Sequence, residues 1–163
     1  MLTLDEAKEI LAYEASTGLF FWRKKISRKV VVGKTAGCVG GHGYFEIRIH
    51  GVKHKSHRLA WLLTHDVWPP NEVDHINGDR SDNRLCNLRL ATSCENKQNA
   101  SRRSDNSSGH PGVSWYKKTG SWRADIQLSG KQKYLGSFHV LEDAISAYQA
   151  AKSEFHTFNP VSR

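Results

Sequence analysis

The chain has 163 residues, 38% of them hydrophobic and 25% charged, a balance typical of folded domains and not of disordered chains. Its 24 Lys and Arg side chains outnumber 16 Asp and Glu, which gives a formal net charge of +8 and favours a polyanionic partner, with nucleic acid ahead of a membrane surface. No apolar run approaches the roughly 18 residues of a membrane span, so we expect an intracellular protein without a membrane segment.

The three cysteines exclude two common classes of site. They are odd in number and form no CxxC pair, which argues against a zinc knot and against a disulfide framework. We interpret Cys38, Cys86 and Cys94 as small buried residues.

The first third of the chain predicts a helix followed by an antiparallel hairpin. Thr3 and Glu6 form a capping box at the start of an amphipathic helix. Apolar and polar residues alternate over 44–50, which indicates a half-buried strand that turns at glycine and returns over 52–55. Ser56 is predicted to cap the helix that follows.

A polar, turn-rich segment follows this second helix. Asp74 and His75 end a short apolar stretch, Asn77-Gly78 is a strong turn signal, and a second apolar stretch precedes a cap-like Thr-Ser pair. The pattern predicts strand, loop, strand and helix. Adjacent strand residues point to opposite sides, so Asp74 and His75 reach one site only if the strand bends or the loop wraps around it. The alternative is a polar hairpin turn with asparagine caps.

The spacing of His75, Asn87 and Asn96 resembles the ββα-metal core of HNH nucleases. The preceding segment, a Gly-Tyr strand followed by His-Arg-Leu-Ala-Trp, is similar to phage HNH homing endonucleases. The resemblance implies that His75 is the general base, that Asp74 and Asn96 hold one metal ion, and that Asn87 hydrogen-bonds the loop backbone around His75. Water activation and an oxygen-ligated Mg²⁺ or Mn²⁺ would together hydrolyse a phosphodiester.

Several basic side chains of the first half are candidate DNA contacts. Arg48 lies on the open face of the hairpin, and His57 and Arg58 open the second helix. A histidine with satisfied hydrogen bonds is an equal alternative for His57. Arg102 and Arg103 lie in a segment without large apolar residues, where they could touch backbone phosphates.

The second half predicts three short strands, over 112–116, 121–128 and 131–138, and a helix over 140–156. Its motifs Trp-x-Ala-Asp-Ile, Tyr-Leu-Gly-Ser-Phe and Asp-Ala-x-x-Ala-Tyr resemble the DNA-binding domain of plant ethylene-response factors, which implies a sheet that enters the major groove. A protein-interaction module is the alternative. Strand alternation and the adjoining turn give the candidate DNA contacts as Ser114, Tyr116, Lys117, Lys118, Arg123, Gln127 and Tyr134.

We therefore expect an α+β protein: a nuclease domain over 1–100 with an N-terminal helix, an antiparallel hairpin and a ββα-metal core, a linker over 101–109, and a three-stranded antiparallel sheet with one helix over 110–163. The expected activity is metal-dependent, site-directed cutting of double-stranded DNA by a monomeric homing endonuclease that nicks one strand. If the protein is phage-encoded, it would act in the bacterial cytoplasm. The alternatives are a non-catalytic sequence-specific DNA-binding regulator and a broad-specificity degradative nuclease.

Overall fold

The structure is a computed structural model that describes residues 2–98, 106, 108–128 and 130–156. It divides into two compact units, Met1–Thr92 and Ser93–Arg163. The helix that we predicted at the end of the nuclease domain thus groups with the second unit. The domain limits 1–100 and 110–163 stay predictions, and most of the predicted linker lies outside the described residues.

The first unit contains two helices and three small antiparallel sheets, with strand orders β1-β2, β3-β4-β5 and β6-β7. In chain order its elements are α1 (Leu4–Ile10), β1 (Leu11–Glu14), β2 (Leu19–Trp22), β3 (Cys38–Val39), β4 (Phe45–Ile49), β5 (Val52–Lys55), α2 (Ser56–His65), β6 (Glu72–His75), a 3₁₀ turn (Leu85–Asn87) and β7 (Leu88–Ala91).

A single apolar core joins the helices and sheets of this unit. The predicted cap of α1 is confirmed, since Thr3 Oγ1 accepts a hydrogen bond from the Glu6 amide at 3.2 Å. The hairpin β4–β5 is confirmed as well, with Ile47 and Ile49 buried and Arg48 exposed between them. The largest fully buried side chains of the core are Phe20, Ile10, Leu11, Ile47, Ile49, Leu59 and Leu62.

The predicted cap of α2 and the predicted burial of the three cysteines are both wrong. Ser56 is the first residue of α2 and not its cap, because the chain passes directly from β5 into the helix at Lys55 and carries Ser56 into the core. The three cysteines are exposed and unbridged. Cys38 lies on the short edge strand β3, Cys86 in the 3₁₀ turn, and Cys94 in the first turn of a helix, all of them surface positions.

The second unit begins with α3 (Ser93–Gln98) and continues as a three-stranded antiparallel sheet and a helix. The three predicted strands and the predicted helix are confirmed, as β8 (Val113–Tyr116), β9 (Ser121–Leu128), β10 (Lys131–Phe138) and α4 (Leu141–Phe155), with sheet order β10-β9-β8. Val113 and Ala124 pack with Ala144 of α4. The register shifts between Tyr134 and Gly136, so a bulge interrupts β10.

Mixed helices and small antiparallel sheets agree with the predicted α+β class. None of the helices in the described part of the chain has the length and apolar character needed to cross a bilayer.

Candidate active site

Asp74 and His75 are the last two residues of β6, which pairs with β7 in the first unit. The antiparallel register places Asp74 opposite Arg89 and His75 opposite Leu88. Asp74 Oδ2 accepts hydrogen bonds from Arg89 Nε at 3.1 Å and Nη2 at 3.0 Å. Both Asp74 and His75 are buried, so this ion pair fixes the carboxylate within the hairpin.

The His75 imidazole is held in one tautomer. Its Nε2 lies 3.3 Å from Asn83 Oδ1, and the Asn83 amide nitrogen donates to the Ser81 carbonyl at 3.0 Å, which fixes the amide orientation. Since Asn83 Oδ1 can only accept, Nε2 must carry the proton, and a neutral ring then has its lone pair on Nδ1. Burial lowers the pKa of His75, and the Asn83 bond and nearby carboxylates oppose that shift. The ring is therefore neutral at physiological pH, the form required of a general base.

The loop between β6 and the 3₁₀ turn is closed by Asn87. Its Oδ1 accepts from the Asn77 amide at 3.0 Å, and its Nδ2 donates to the Asp82 carbonyl at 2.8 Å and to Asn77 Oδ1 at 3.0 Å. The bonds to the Asn77 amide and the Asp82 carbonyl are contacts with the loop backbone of the kind that the resemblance to HNH nucleases implied for Asn87. Asp82 is also paired with Arg84, which is the main reason that its pKa is lowered to about 2.

The β1–β2 hairpin contacts the same loop through Tyr13 in β1 and through residues of its turn. Tyr13 donates from its hydroxyl to the Asn83 carbonyl at 2.8 Å, and the Leu85 amide donates to the Ala15 carbonyl at 3.0 Å. A Cβ on Gly18, which has φ +75°, would lie 2.5 Å from the Arg84 nitrogen. Burial is the largest of the causes that raise the pKa of Tyr13 to about 12. Sequence reasoning missed this support, and we find no local pattern that would have indicated it.

His57 is a second histidine of the site and is not an exposed DNA contact. It is 4% exposed, and its ring lies edge-on to that of His75 with 4.9 Å between centroids. Burial, followed by the neighbouring His75, lowers the pKa of His57 to about 3. Its Nδ1 has no hydrogen-bond partner within the described residues, so neither the predicted DNA contact nor the alternative of a satisfied histidine is correct.

The proposed metal ligands supply only oxygen atoms. Asp74 offers a carboxylate and Asn96, which lies in α3, offers an amide carbonyl. This donor set fits a hard cation such as Mg²⁺, which commonly binds one or two protein carboxylates and keeps several waters. Among the described residues, no group of three or more His, Cys, Asp or Glu side chains is arranged to hold a metal. Asn96 belongs to the second unit, and its pairing with Asp74 stays a prediction.

The remaining DNA-contact predictions differ in exposure. Arg48 is exposed, Arg58 is half-buried and donates to the Asn71 carbonyl at 3.4 Å, and Arg102 and Arg103 lie outside the described residues. In the second unit, Arg123 is half-buried. It forms two hydrogen bonds to Asp125, at 2.7 and 2.9 Å, and its guanidinium carbon lies 5.2 Å from the Tyr134 ring centroid. The exposed candidates there are Ser114, Tyr116, Lys117, Lys118, Gln127 and Tyr134.

Comparison with known proteins identifies the region that contains this site. A sequence profile described as HNH endonuclease matches residues 54–98. Protein 3.8 of Escherichia phage T7 is 37% identical over 103 residues, which are 63% of this chain and 84% of that protein.

Plant proteins share a shorter segment. APETALA2-like protein 2 of Oryza sativa subsp. japonica and an AP2-like ethylene-responsive transcription factor of Arabidopsis thaliana are each 43% identical over 49 residues, 30% of this chain but only 11% and 10% of those proteins. No solved structure matches the chain. Because Protein 3.8 matches over most of its length, the chain belongs to the family of that phage protein, and it contains an HNH endonuclease domain.

Proposed function

We propose that this protein is a metal-dependent, site-directed DNA endonuclease of the homing type that nicks one strand of double-stranded DNA. The observation that carries the proposal is the buried His75, which directly follows Asp74 inside the HNH endonuclease domain, contacts Asn83 through Nε2 and borders a loop closed by Asn87. A buried histidine that is neutral at physiological pH has the property that a general base requires.

In the proposed reaction, His75 accepts a proton from water at Nδ1 while the water oxygen attacks phosphorus and the bond from phosphorus to the leaving oxygen breaks. Asp74 and Asn96 would hold Mg²⁺ or Mn²⁺, which supplies charge neutralisation at the phosphoryl and leaving oxygens when bound. Arg89 orients the Asp74 carboxylate through its two hydrogen bonds.

Asn87 is proposed to act through the loop and not on the substrate. Its three bonds hold the loop that carries Asn83, and Asn83 in turn contacts His75 Nε2. It is therefore a positioning residue that keeps the Nδ1 lone pair of His75 directed toward the water to be activated.

The second unit is proposed to supply site choice and additional affinity. The exposed face of its sheet carries Ser114, Gln127 and Tyr134, and the adjacent turn carries Lys117 and Lys118. Groups of this kind contact bases and phosphates. Tethering such a surface to the nuclease raises affinity through effective concentration. A single active site in a monomer favours one cut per encounter, and if the gene is carried by a phage the protein would act in the cytoplasm of a bacterium.

The test is incubation of the purified protein with supercoiled plasmid and Mg²⁺ or Mn²⁺, followed by mapping of the nicks by sequencing. We expect nicked circles with cuts at a small number of sites, nicking slowed about a hundredfold or more in His75→Ala, and no cutting in EDTA. Nicks spread over the plasmid would instead favour a degradative nuclease. Site-specific binding without cutting under any metal would favour a DNA-binding regulator.

A further inference from the structure

Tyr44 lies at the centre of a small cluster next to His75. Lys55 Nζ is 4.3 Å from the centroid of the Tyr44 ring, and the guanidinium carbon of Arg80 is 4.9 Å from the same centroid. The ring itself is 6.1 Å, centroid to centroid, from the His75 imidazole. Two cations therefore share one aromatic ring at the border of the candidate active site.

The two cations reach Tyr44 from different parts of the first unit. Lys55 is the last residue of β5, and Tyr44 directly precedes β4, its hairpin partner. Arg80 belongs to the loop closed by Asn87, and its Nη1 donates to the His42 carbonyl at 2.9 Å, across 38 residues of sequence. That bond uses one of the five N–H donors of the guanidinium.

The neighbouring carboxylates are already engaged with other donors. Asp74 is paired with Arg89, Asp82 with Arg84 and Glu46 with Lys53. Asp79 accepts two hydrogen bonds from Ser81. Lys55 and Arg80 are both exposed, and neither has a carboxylate partner within the described residues. Their positive charge is thus available to an anion that approaches His75.

We propose that Lys55 and Arg80 form a phosphate-binding pair, supported by the Tyr44 ring, that holds neighbouring backbone phosphates of DNA beside His75. A guanidinium can take a phosphate through two parallel N–H bonds, and an ammonium can hold it as a point charge. The two distances to one centroid place the cations at most about 9 Å apart, close enough to bind the same short stretch of backbone. This proposal rests on the proposed function.

The test measures binding in EDTA, where no cleavage is expected, of a fluorescent DNA duplex over a salt series. Lys55→Gln and Arg80→Gln should each weaken binding about tenfold or more at low salt, as expected for loss of a charge-assisted contact. The logarithm of the DNA association constant falls linearly with the logarithm of salt concentration. Each variant should make this slope shallower by about 0.9, the value expected for one lost phosphate contact. The control is Lys8→Gln, which removes the same charge from an exposed position in α1 where Lys8 is paired with Asp66.

Conservative variants separate a charge effect from a loss of structure. Lys55→Arg and Arg80→Lys should keep the salt slope, and Tyr44→Phe should keep it as well because the ring remains. Since Arg80→Gln also removes the bond to His42, Lys55→Gln is the deciding variant, and its thermal unfolding should match that of the wild type.

If Lys55→Gln leaves affinity and slope at wild-type values, or if Lys8→Gln lowers both equally, the proposed pair is wrong, although wild-type nicking would still support the proposed function. If the wild type binds DNA but cuts under no metal, the proposed function is wrong. Selective loss of binding in Lys55→Gln and Arg80→Gln would even then support the phosphate-binding pair.

Discussion

Replacement of Asn87 by alanine tests whether the loop around His75 is held by the three bonds of one side chain. The substitution removes the Asn87 bonds to the Asn77 amide, to Asn77 Oδ1 and to the Asp82 carbonyl. Each net hydrogen bond contributes about 1 kcal/mol, so the first unit should lose about 3 kcal/mol of unfolding free energy. Asn87→Asp keeps the acceptor for the Asn77 amide, but it turns a carboxylate oxygen toward two acceptors at a buried position, so it should be destabilised at least as much as Asn87→Ala.

The loop should also become locally mobile. We expect the Asn77 amide, protected from hydrogen exchange in the wild type by Asn87 Oδ1, to exchange at least about tenfold faster in Asn87→Ala. Cleavage at saturating DNA should fall by about a hundredfold, because the Asn83 contact to His75 loses its support, while DNA binding in EDTA persists. The matched control is Asn71→Ala, which makes the same substitution at an exposed position outside the loop.

An Asn87→Ala protein whose unfolding free energy lies within about 0.5 kcal/mol of the wild type, with unchanged exchange at Asn77, would refute this account of the loop. Unchanged cleavage by the same variant would refute the positioning role of Asn87.

Four further predictions follow from the site and the sheet. His75→Ala should slow nicking by about a hundredfold or more while DNA binding in EDTA persists. Asp74→Ala and EDTA should each abolish nicking, and titration of Mg²⁺ should restore it only in the wild type. Burial holds the pKa of folded His57 at about 3 against about 6.5 unfolded, so the unfolded state takes up a proton first as pH falls. The unfolding free energy should therefore fall by about 2 kcal/mol between about pH 7 and about pH 5, and urea titrations of His57→Phe should show a flatter pH dependence. Arg123→Ala should relax base preference by about 1–3 kcal/mol at one position if Arg123 leaves Asp125 to contact a base, and selection from a randomised duplex library would reveal it.

Elements defined by local pattern were predictable from the sequence. The capping box of α1, the alternation in β4, and the strands and helix of the second unit all depend on residues a few positions apart, and all three predictions are confirmed. The backbone bonds of Asn87 were expected only from the resemblance to HNH nucleases.

The missed features depend on contacts between distant parts of the chain. The contact of Tyr13 with Asn83 spans 70 residues, and that of Arg80 with His42 spans 38. The burial of His57 follows from how α2 packs in the core and not from its place at the start of a helix. Periodicity and turn signals carry no information about such contacts, which is why a buried histidine was taken for a surface contact.

The support of the nuclease loop by the β1–β2 turn limits how this activity can be transferred between proteins. The HNH profile covers residues 54–98, but Tyr13, Ala15 and Gly18 meet the loop from outside that span. If residues 54–98 were grafted into another protein, the loop would lack its contacts with Tyr13, Ala15 and Gly18. We expect such a graft to be active only when a hairpin equivalent to residues 11–22 is included.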